Sequence, residues 1–150
     1  MEPRRDLPGS PEEGRRRLKV FADSNVLIYA IDDSDQTKRQ RARHLLEQHW
    51  SQLVISTQVM LEFHAVCSRN DGIHSSAISE SLKDFAALDV IPADARAVLT
   101  ATSIADQIGL STSDAMIVEA ATRGGCELLV TEDAQLLAAD LPLEARNPFA

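Results

Sequence analysis

The sequence of this 150-residue chain predicts an α/β protein in which helices cover both faces of a parallel sheet. From Leu18 onward, short apolar runs of strand length alternate with longer segments of helical periodicity. Hydrophobic residues make up 44% of the chain, which is typical of globular proteins. Neither a repeat nor an internal linker divides this pattern, so we expect one domain with a sizeable core.

The domain is expected to span 18–150, preceded by a flexible extension at 1–17. The extension reads MEPRRDLPGSPEEGRRR, which is rich in Pro, Gly and charge and almost free of apolar residues. The first predicted strand is LKVFA at 18–22, and a basic helix, QTKRQRARHLLEQHW, is predicted over 36–50. The order of these segments begins the strand–helix alternation.

The middle of the chain continues the alternation. Its predicted elements are a strand at 53–56, helices at 57–69 and 75–88, and a short strand at 90–91. Ser56 or Thr57 is expected to cap the first of these helices, because a hydroxyl side chain accepts a hydrogen bond from a free N–H of the first turn.

The last third of the chain contains two more helices and a strand. The helices are predicted at 94–109, ending at Gly109, and at 113–125, capped near Thr112 or Ser113. A strand is predicted at 126–131, followed by a short helix and a C-terminal segment that begins EARNPF.

Composition restricts the class of protein. The net charge of −8 disfavours a surface that binds nucleic acid everywhere, although a local basic groove is compatible with it. No stretch approaches the roughly 20 apolar residues of a membrane span, and the N-terminus lacks the features of a signal peptide. Cys67 and Cys126 are too few for a disulfide scaffold, so we expect two buried thiols in a cytoplasmic protein.

Two acidic residues follow predicted strands. Asp23 comes directly after the first strand, and Asp133 lies two residues beyond the strand that ends at Thr131. The carboxyl ends of parallel strands meet at one edge of a sheet, where binding sites of open α/β folds form. We therefore expect both carboxylates at the same edge.

Two further acids lie on predicted helices. Glu62 is three residues after Val59 and four before Val66, which places it on an apolar face. Asp114 lies in a first helical turn, just before the apolar run AMIV. Each of the four acids also has a structural explanation on its own: a turn for Asp23, a half-exposed edge position for Glu62, and helix-start positions for Asp114 and Asp133.

The convergence of the four acids favours a functional role. Clustered carboxylates without nearby Cys or His suit a hard cation such as Mg²⁺ or Mn²⁺. Such an ion can activate water and stabilise an in-line attack on phosphorus. Ser24 and Asn25 are expected to support the site through neutral hydrogen bonds.

Four segments in a fixed order resemble one known family. They are FADSNVLIYAIDDSD, ISTQVMLEFHAVCSRN, LSTSDAMIVEAATRGGCELLVTEDAQLL and RNPF, which together span roughly 19–149. These segments resemble the PIN domain, in particular the VapC-like toxin nucleases of bacterial toxin–antitoxin pairs. The resemblance implies a three-layer α/β/α fold, RNA cleavage that depends on Mg²⁺ or Mn²⁺, and a cognate antitoxin.

The resemblance also assigns roles to individual residues. Asp23, Glu62, Asp114 and Asp133 match the four acids of the family, which carry catalysis and hold the metal. Asn25 matches the polar residue two positions after the first acid, while Ser24 and Thr131 stand where the family has Thr and Ser or Thr, respectively. A homodimer is expected on the same basis, together with helices that could share an apolar face.

Basic residues of the segment KRQRAR are candidates for contacts with the RNA backbone. They lie three or four residues apart on the predicted helix, as the pairs Lys38/Arg41 and Arg39/Arg43. A solvated helix face is the alternative explanation. His64, which is close to Glu62 in sequence, is expected to be a partly exposed helix residue rather than a base.

Two other functions are compatible with parts of the pattern. A phosphatase of the haloacid-dehalogenase type also has an acid after its first strand, but it needs a second Asp at the position of Asn25. A catalytically silent PIN fold that serves as a binding module is the other alternative, which the presence of all four acids disfavours.

Overall fold

A computed structural model describes residues 18–150, so the extension expected at 1–17 lies outside the described residues. Five parallel strands form one sheet in the order β3-β2-β1-β4-β5. The strands are β1 (Val20–Ala22), β2 (Leu53–Ser56), β3 (Asp89–Ile91), β4 (Leu128–Val130) and β5 (Glu144–Arg146). The parallel sheet confirms the predicted fold class.

Helices connect successive strands. Within residues 18–150 they are α1 (Ser24–Tyr29), α2 (Gln36–His49), α3 (Thr57–Ser68), α4 (Ser75–Ala86), α5 (Ala95–Ile108), α6 (Thr112–Arg123) and α7 (Ala134–Ala138), with a 3₁₀ turn at Trp50–Gln52. Every residue of β1, β2 and β4 is buried, which requires cover on both faces of the sheet. The architecture is therefore a three-layer α/β/α fold. No helix in this part of the chain is long and apolar enough to cross a membrane.

The core lies between the central strands and the buried helix faces. Helix α3 buries Val59, Phe63 and Cys67, which are spaced four residues apart and so share one face. Phe63 meets Phe85 of α4 edge to face, with ring centroids 5.0 Å apart. Cys67 and Cys126 are free and buried, as predicted.

Helix caps set where the site-bearing helices begin. The hydroxyl oxygen of Ser56 accepts a hydrogen bond from Val59 N at 3.2 Å, so Ser56 rather than Thr57 caps α3. The cap predicted for α6 is wrong: Ser111 Oγ accepts from Asp114 N at 3.1 Å, and the helix begins one residue earlier than expected. Gly109 ends α5 in the left-handed conformation, φ 82°, as predicted.

Two elements were absent from the sequence prediction. Helix α1 begins directly after Asp23, whose side chain is its own N-cap. The segment it occupies is a short apolar run that periodicity does not separate from a strand. Strand β5 consists of Glu144, Ala145 and Arg146, and it exists through its pairing with β4 rather than through any apolar run.

Candidate active site

The carboxyl ends of β1 and β4 place Asp23 and Asp133 at one edge of the sheet. The strands are adjacent and parallel, with Ala22 in register with Val130. Asp23 N donates to Val130 O at 3.1 Å, so the backbone fixes the start of α1 against the end of β4. The sheet therefore has the geometry on which the prediction for these two acids depended.

Asp23 is held by donors from three residues. Thr131 Oγ1 donates to its Oδ2 at 2.8 Å, and Ser24 N donates to its Oδ1 at 2.7 Å. Asn25 Nδ2 donates to Oδ2 at 3.4 Å and to Thr131 Oγ1 at 3.3 Å. The amide of Asn25 donates both hydrogen bonds, which suits a supporting role. An amide does not exchange a proton as a carboxyl group does, so Asn25 cannot replace the second Asp that the phosphatase alternative requires.

Burial and neighbouring charges act on Asp23 in the same direction. The residue is 6% exposed, and its burial raises the pKa of the carboxyl group. Hydrogen bonds from Thr131 and Ser24 oppose that rise, and the charges of Glu62 and Asp133 add to it. Asp23 is thus a buried carboxyl group facing two other acids.

Asp114 faces the same acids from the first turn of α6. Burial, the charge of Asp133 and a hydrogen bond with it, and the charge of Asp23 together raise the pKa of Asp114 to about 6. The hydrogen bond with Ser111 acts in the opposite direction. Because the Asp114 side chain contacts that of Asp133, α6 brings Asp114 to the edge occupied by Asp23 and Asp133.

Glu62 reaches the site from α3. Ser113 Oγ donates to Glu62 Oε2 at 3.1 Å, and Gln58 Nε2 donates to the same oxygen at 3.4 Å. Gln58 Nε2 also donates to Ser113 Oγ at 3.0 Å, which joins α3 to the start of α6. Gln58 and Ser113 were not singled out by the sequence, although Gln58 precedes Glu62 by four residues and Ser113 precedes Asp114 by one.

The predicted apolar stripe around Glu62 is only partly correct. Val59 is fully buried, whereas Val66 is 44% exposed. The buried face of α3 runs through Phe63 and Cys67, and Glu62 borders it at an intermediate exposure. The helix therefore turns Glu62 toward the edge of the sheet while its apolar neighbours enter the core.

Asp133 combines a structural role with its position at the site. Its Oδ1 accepts from Gln135 N at 2.8 Å and from Leu136 N at 3.4 Å, so it caps α7. Asp133 N donates to Thr131 Oγ1 at 3.0 Å. A carboxylate has two oxygens, so a cap that uses Oδ1 leaves Oδ2 for the site.

The four acids supply a donor set made only of oxygen, which suits Mg²⁺ or Mn²⁺. Within residues 18–150, no three His, Cys, Asp or Glu side chains already stand together as a preformed ligand group. The charges of neighbouring acids nevertheless contribute to the raised pKa values of Asp23 and Asp114. Such a set fits a hydrated cation, which the four acids would hold, because Mg²⁺ keeps several of its waters.

The basic residues of α2 differ in their contacts. Arg43 Nε donates to Ala30 O at 2.8 Å, and Arg41 Nη1 donates to Ala150 O at 3.2 Å. The buried Nε of Arg39 has no hydrogen-bond partner among the described residues. Lys38 forms an ion pair with Glu132, Nζ to Oε1 2.9 Å. His64 is exposed and contacts Ser68.

Comparison with known proteins identifies the family. The sequence model of the PIN domain matches residues 20–141. The chain belongs to the PIN domain family. A comparison with curated protein sequences gives no significant match.

Several solved structures share this fold, and some of them are described as toxins or toxin–antitoxin complexes. This PIN domain superposes on a toxin–antitoxin complex from Klebsiella pneumoniae with a TM-score of 0.67 and 18% identity, covering 87% of this chain and 98% of that one. The VapC20 toxin of Mycobacterium tuberculosis, described as cleaving the sarcin–ricin loop, gives a TM-score of 0.68 and 18% identity, with coverages of 82% and 96%. DNA-bound VapBC from Salmonella typhimurium gives 0.61 and 19%, with coverages of 88% and 99%.

The raised pKa of Asp114 predicts a pH dependence of stability in the metal-free PIN domain. Its folded-state pKa of about 6 lies above the ordinary value of 3.8, so between these values the folded state binds more protons than the unfolded state. The contribution of Asp114 to stability therefore falls as pH rises from about 4 to about 6. We expect Asp114→Asn to gain stability relative to the wild type across this window.

Urea denaturation in EDTA at several pH values measures this effect. Asp84, an exposed residue of α4, provides the control: Asp84→Asn should keep the same difference from the wild type throughout. A stability difference between Asp114→Asn and the wild type that stays constant from pH 4 to pH 6 would contradict the prediction.

Proposed function

We propose that this PIN domain is a divalent-metal-dependent endoribonuclease, a VapC-like toxin that hydrolyses RNA phosphodiester bonds. The observation that carries the proposal is the convergence of Asp23, Asp114 and Asp133 at the edge formed by β1 and β4, with Glu62 facing them from α3. Such a concentration of negative charge destabilises the folded chain unless a cation offsets it. Mg²⁺ or Mn²⁺ is the proposed cofactor.

The four acids would hold the ion and are the proposed catalytic residues. When bound, the ion supplies an activated water and positive charge for the phosphorane-like transition state. Asp23 is buried and the other three acids are partly buried, and Asp133 acts on both Asp23 and Asp114. Thr131, Asn25 and Ser24 would fix the Asp23 carboxylate by the hydrogen bonds described above, which limits the reorganisation needed on binding.

The proposed RNA-contact residues lie on α2. Arg39, Arg41 and Arg43 lie on the same helix as Lys38, whose partner Glu132 adjoins Asp133 in the chain. Guanidinium groups suit phosphate oxygens, and these would flank the scissile bond. A local basic segment of this kind is compatible with a net charge of −8.

The proposed protein partner is a small antitoxin, and the proposed assembly is a cytoplasmic homodimer. Support comes from three structures that share the fold: one is described as a toxin–antitoxin complex, and the other two as VapBC proteins bound to DNA. Co-purification with the product of an adjacent reading frame would test the partner. A single monomeric species in light scattering at micromolar concentration would contradict the dimer.

A cleavage assay tests the enzymatic proposal against a silent binding module. The purified full chain is incubated with total RNA in Mg²⁺ or Mn²⁺, and new RNA ends are sequenced. We expect cleavage at defined positions that stops on addition of EDTA. RNA binding without any metal-dependent cleavage would contradict the nuclease and favour the binding module.

A further inference from the structure

We propose that Lys38, Tyr29 and Glu132 form a latch that positions the segment 131–133, and that Lys38 is therefore a positioning residue rather than a phosphate contact. The segment 131–133 connects β4 to α7 and carries Thr131 and Asp133 of the candidate site. The catalytic consequence of the latch rests on the proposed function. The effect of the latch on the position of segment 131–133 does not rest on the proposed function.

The latch uses both carboxylate oxygens of Glu132. Lys38 Nζ lies 2.9 Å from Glu132 Oε1, and Tyr29 OH donates to Glu132 Oε2 at 2.5 Å. Lys38 Nζ also donates to Tyr29 OH at 3.2 Å, which closes the triangle. Because each member contacts the other two, α1 and α2 are tied to the segment 131–133 by one cluster of charge-assisted hydrogen bonds.

Aromatic rings shield the ammonium group. Lys38 Nζ lies 4.7 Å from the centroid of the Tyr29 ring and 5.8 Å from that of Phe149. The two rings meet edge to face at 5.0 Å. The Lys38 and Glu132 side chains are 33% and 28% exposed, so solvent screens this pair less than it screens an ordinary surface ion pair.

The segment 131–133 turns alternate side chains to opposite sides. Thr131 and Asp133 face the candidate site, where Thr131 Oγ1 donates to Asp23 and accepts from Asp133 N. Glu132 faces the latch, while its backbone N donates to Asn25 Oδ1 at 3.3 Å. Without the latch, hydrogen bonds on the site side alone would hold the segment, and the position of Asp133 relative to Asp114 would be less well defined.

The two roles open to Lys38 predict opposite effects of removing Glu132. If Lys38 binds phosphate, Glu132→Gln frees its ammonium and removes a negative charge, so RNA binds more tightly. If Lys38 positions the segment, Glu132→Gln and Lys38→Met both loosen it, turnover falls, and RNA affinity stays nearly unchanged. The two variants therefore separate the two roles.

The first readout is amide hydrogen exchange of residues 131–133 in the metal-free full chain. It needs no nuclease activity. We expect exchange to become about fivefold faster or more in Lys38→Met and in Glu132→Gln, as for loss of a partly shielded ion pair. The double variant should exchange no faster than either single one, because the two residues act as a unit. Lys38→Arg should restore most of the protection.

The second readout is kinetic. We expect kcat to fall by about 10-fold to 100-fold in both single variants, the range for residues that support metal ligands, with KM for RNA unchanged. Tyr29→Phe, which keeps the ring and loses the hydroxyl, is the variant of choice if Lys38→Met fails to fold, and it should give a smaller change of the same sign.

A neighbouring ion pair provides a matched control. Arg146 and Glu144 on β5 pair at 2.6 Å with 63% and 59% exposure, and Arg146 O accepts from Thr131 N. Glu144→Gln removes the same charge beside the same segment and should leave both readouts at their wild-type values.

Two results would overturn the latch. One is unchanged exchange of residues 131–133 in both Lys38→Met and Glu132→Gln. The other is an unchanged kcat with weaker RNA binding in Lys38→Met and tighter binding in Glu132→Gln, which would assign Lys38 to phosphate. Faster exchange in a chain that cleaves no RNA would support the latch and contradict the proposed nuclease, so the two failures are distinguishable.

Discussion

Asp23→Asn is expected to slow RNA cleavage by at least about 10²-fold while the protein stays folded. A metal site supplies several kcal/mol of transition-state stabilisation, and each 1.36 kcal/mol corresponds to a factor of ten. The amide has nearly the shape of the carboxylate but lacks its charge. The amide oxygen can still accept from Ser24 N, so the cap of α1 is retained.

The same reasoning predicts a loss of cleavage for the other three acids, with a smaller loss for Asp133. Glu62→Gln and Asp114→Asn should abolish cleavage in the same way, because each removes one charge from the site and keeps its volume. Asp133→Asn should have a milder effect, since Asp133 also caps α7 and is expected to act through water. The prediction orders the variants by rate, which a single RNA cleavage assay measures.

Folding must be verified separately for each variant. Circular dichroism should show each variant folded, and thermal unfolding in EDTA should show Asp23→Asn and Asp114→Asn at least as stable as the wild type at neutral pH, because burial and neighbouring charges disfavour the ionised carboxylate in the metal-free fold. The exposed Asp84 serves as the control, and Asp84→Asn should cleave at the wild-type rate. Full activity of Asp23→Asn would remove the central residue from the proposed mechanism.

Mg²⁺ or Mn²⁺ is expected to raise the melting temperature of the wild-type protein. Binding to the folded state alone stabilises it by about 2.7 kcal/mol at a free metal concentration of 100 times Kd. For a chain of this size, about 1 kcal/mol corresponds to about 2–4 °C, so a shift of roughly 5–11 °C is expected. The physical source is the mutual repulsion of Asp23, Asp114 and Asp133, which a divalent cation offsets.

Differential scanning fluorimetry across a metal titration measures this shift. It should shrink strongly in Asp23→Asn and persist in Asp84→Asn. Ca²⁺ should stabilise the fold without supporting cleavage, because its looser coordination orients the attacking water less well. Equal shifts in the wild type and Asp23→Asn would place the ion elsewhere, and cleavage that survives exhaustive chelation would contradict the metal mechanism.

The sequence alone predicted the fold class and the strand-borne half of the site. Apolar runs of strand length alternate with helical periodicity, and that order forces a parallel sheet. A parallel sheet brings the ends of its strands to one edge, which is why Asp23 and Asp133 were expected together before any coordinates. Glu62 and Asp114 were singled out by their positions on predicted helices, and the resemblance to the PIN family assigned them the same role as the two strand-borne acids.

Elements without a local signal required the tertiary structure. Strand β5 has only one apolar residue, Ala145, and forms because β4 offers an open edge. Helix α1 has six residues, SNVLIY, and its apolar part becomes helical because Asp23, fixed by β1, caps the helix. Strand β5 is stabilised by pairing with β4, and α1 by a cap that β1 holds in place, so sequence periodicity alone predicts neither element.

The partners of the site residues were likewise decided by tertiary structure. Ser113 lies 51 residues from Glu62 in the chain and reaches it only because α6 packs beside α3. Lys38 looked like one of several basic residues on a helix face, and it pairs with Glu132, 94 residues away. A short-range sequence pattern predicts which residues share a helix face or follow a strand. Which distant side chain neutralises a given charge depends on how the layers pack.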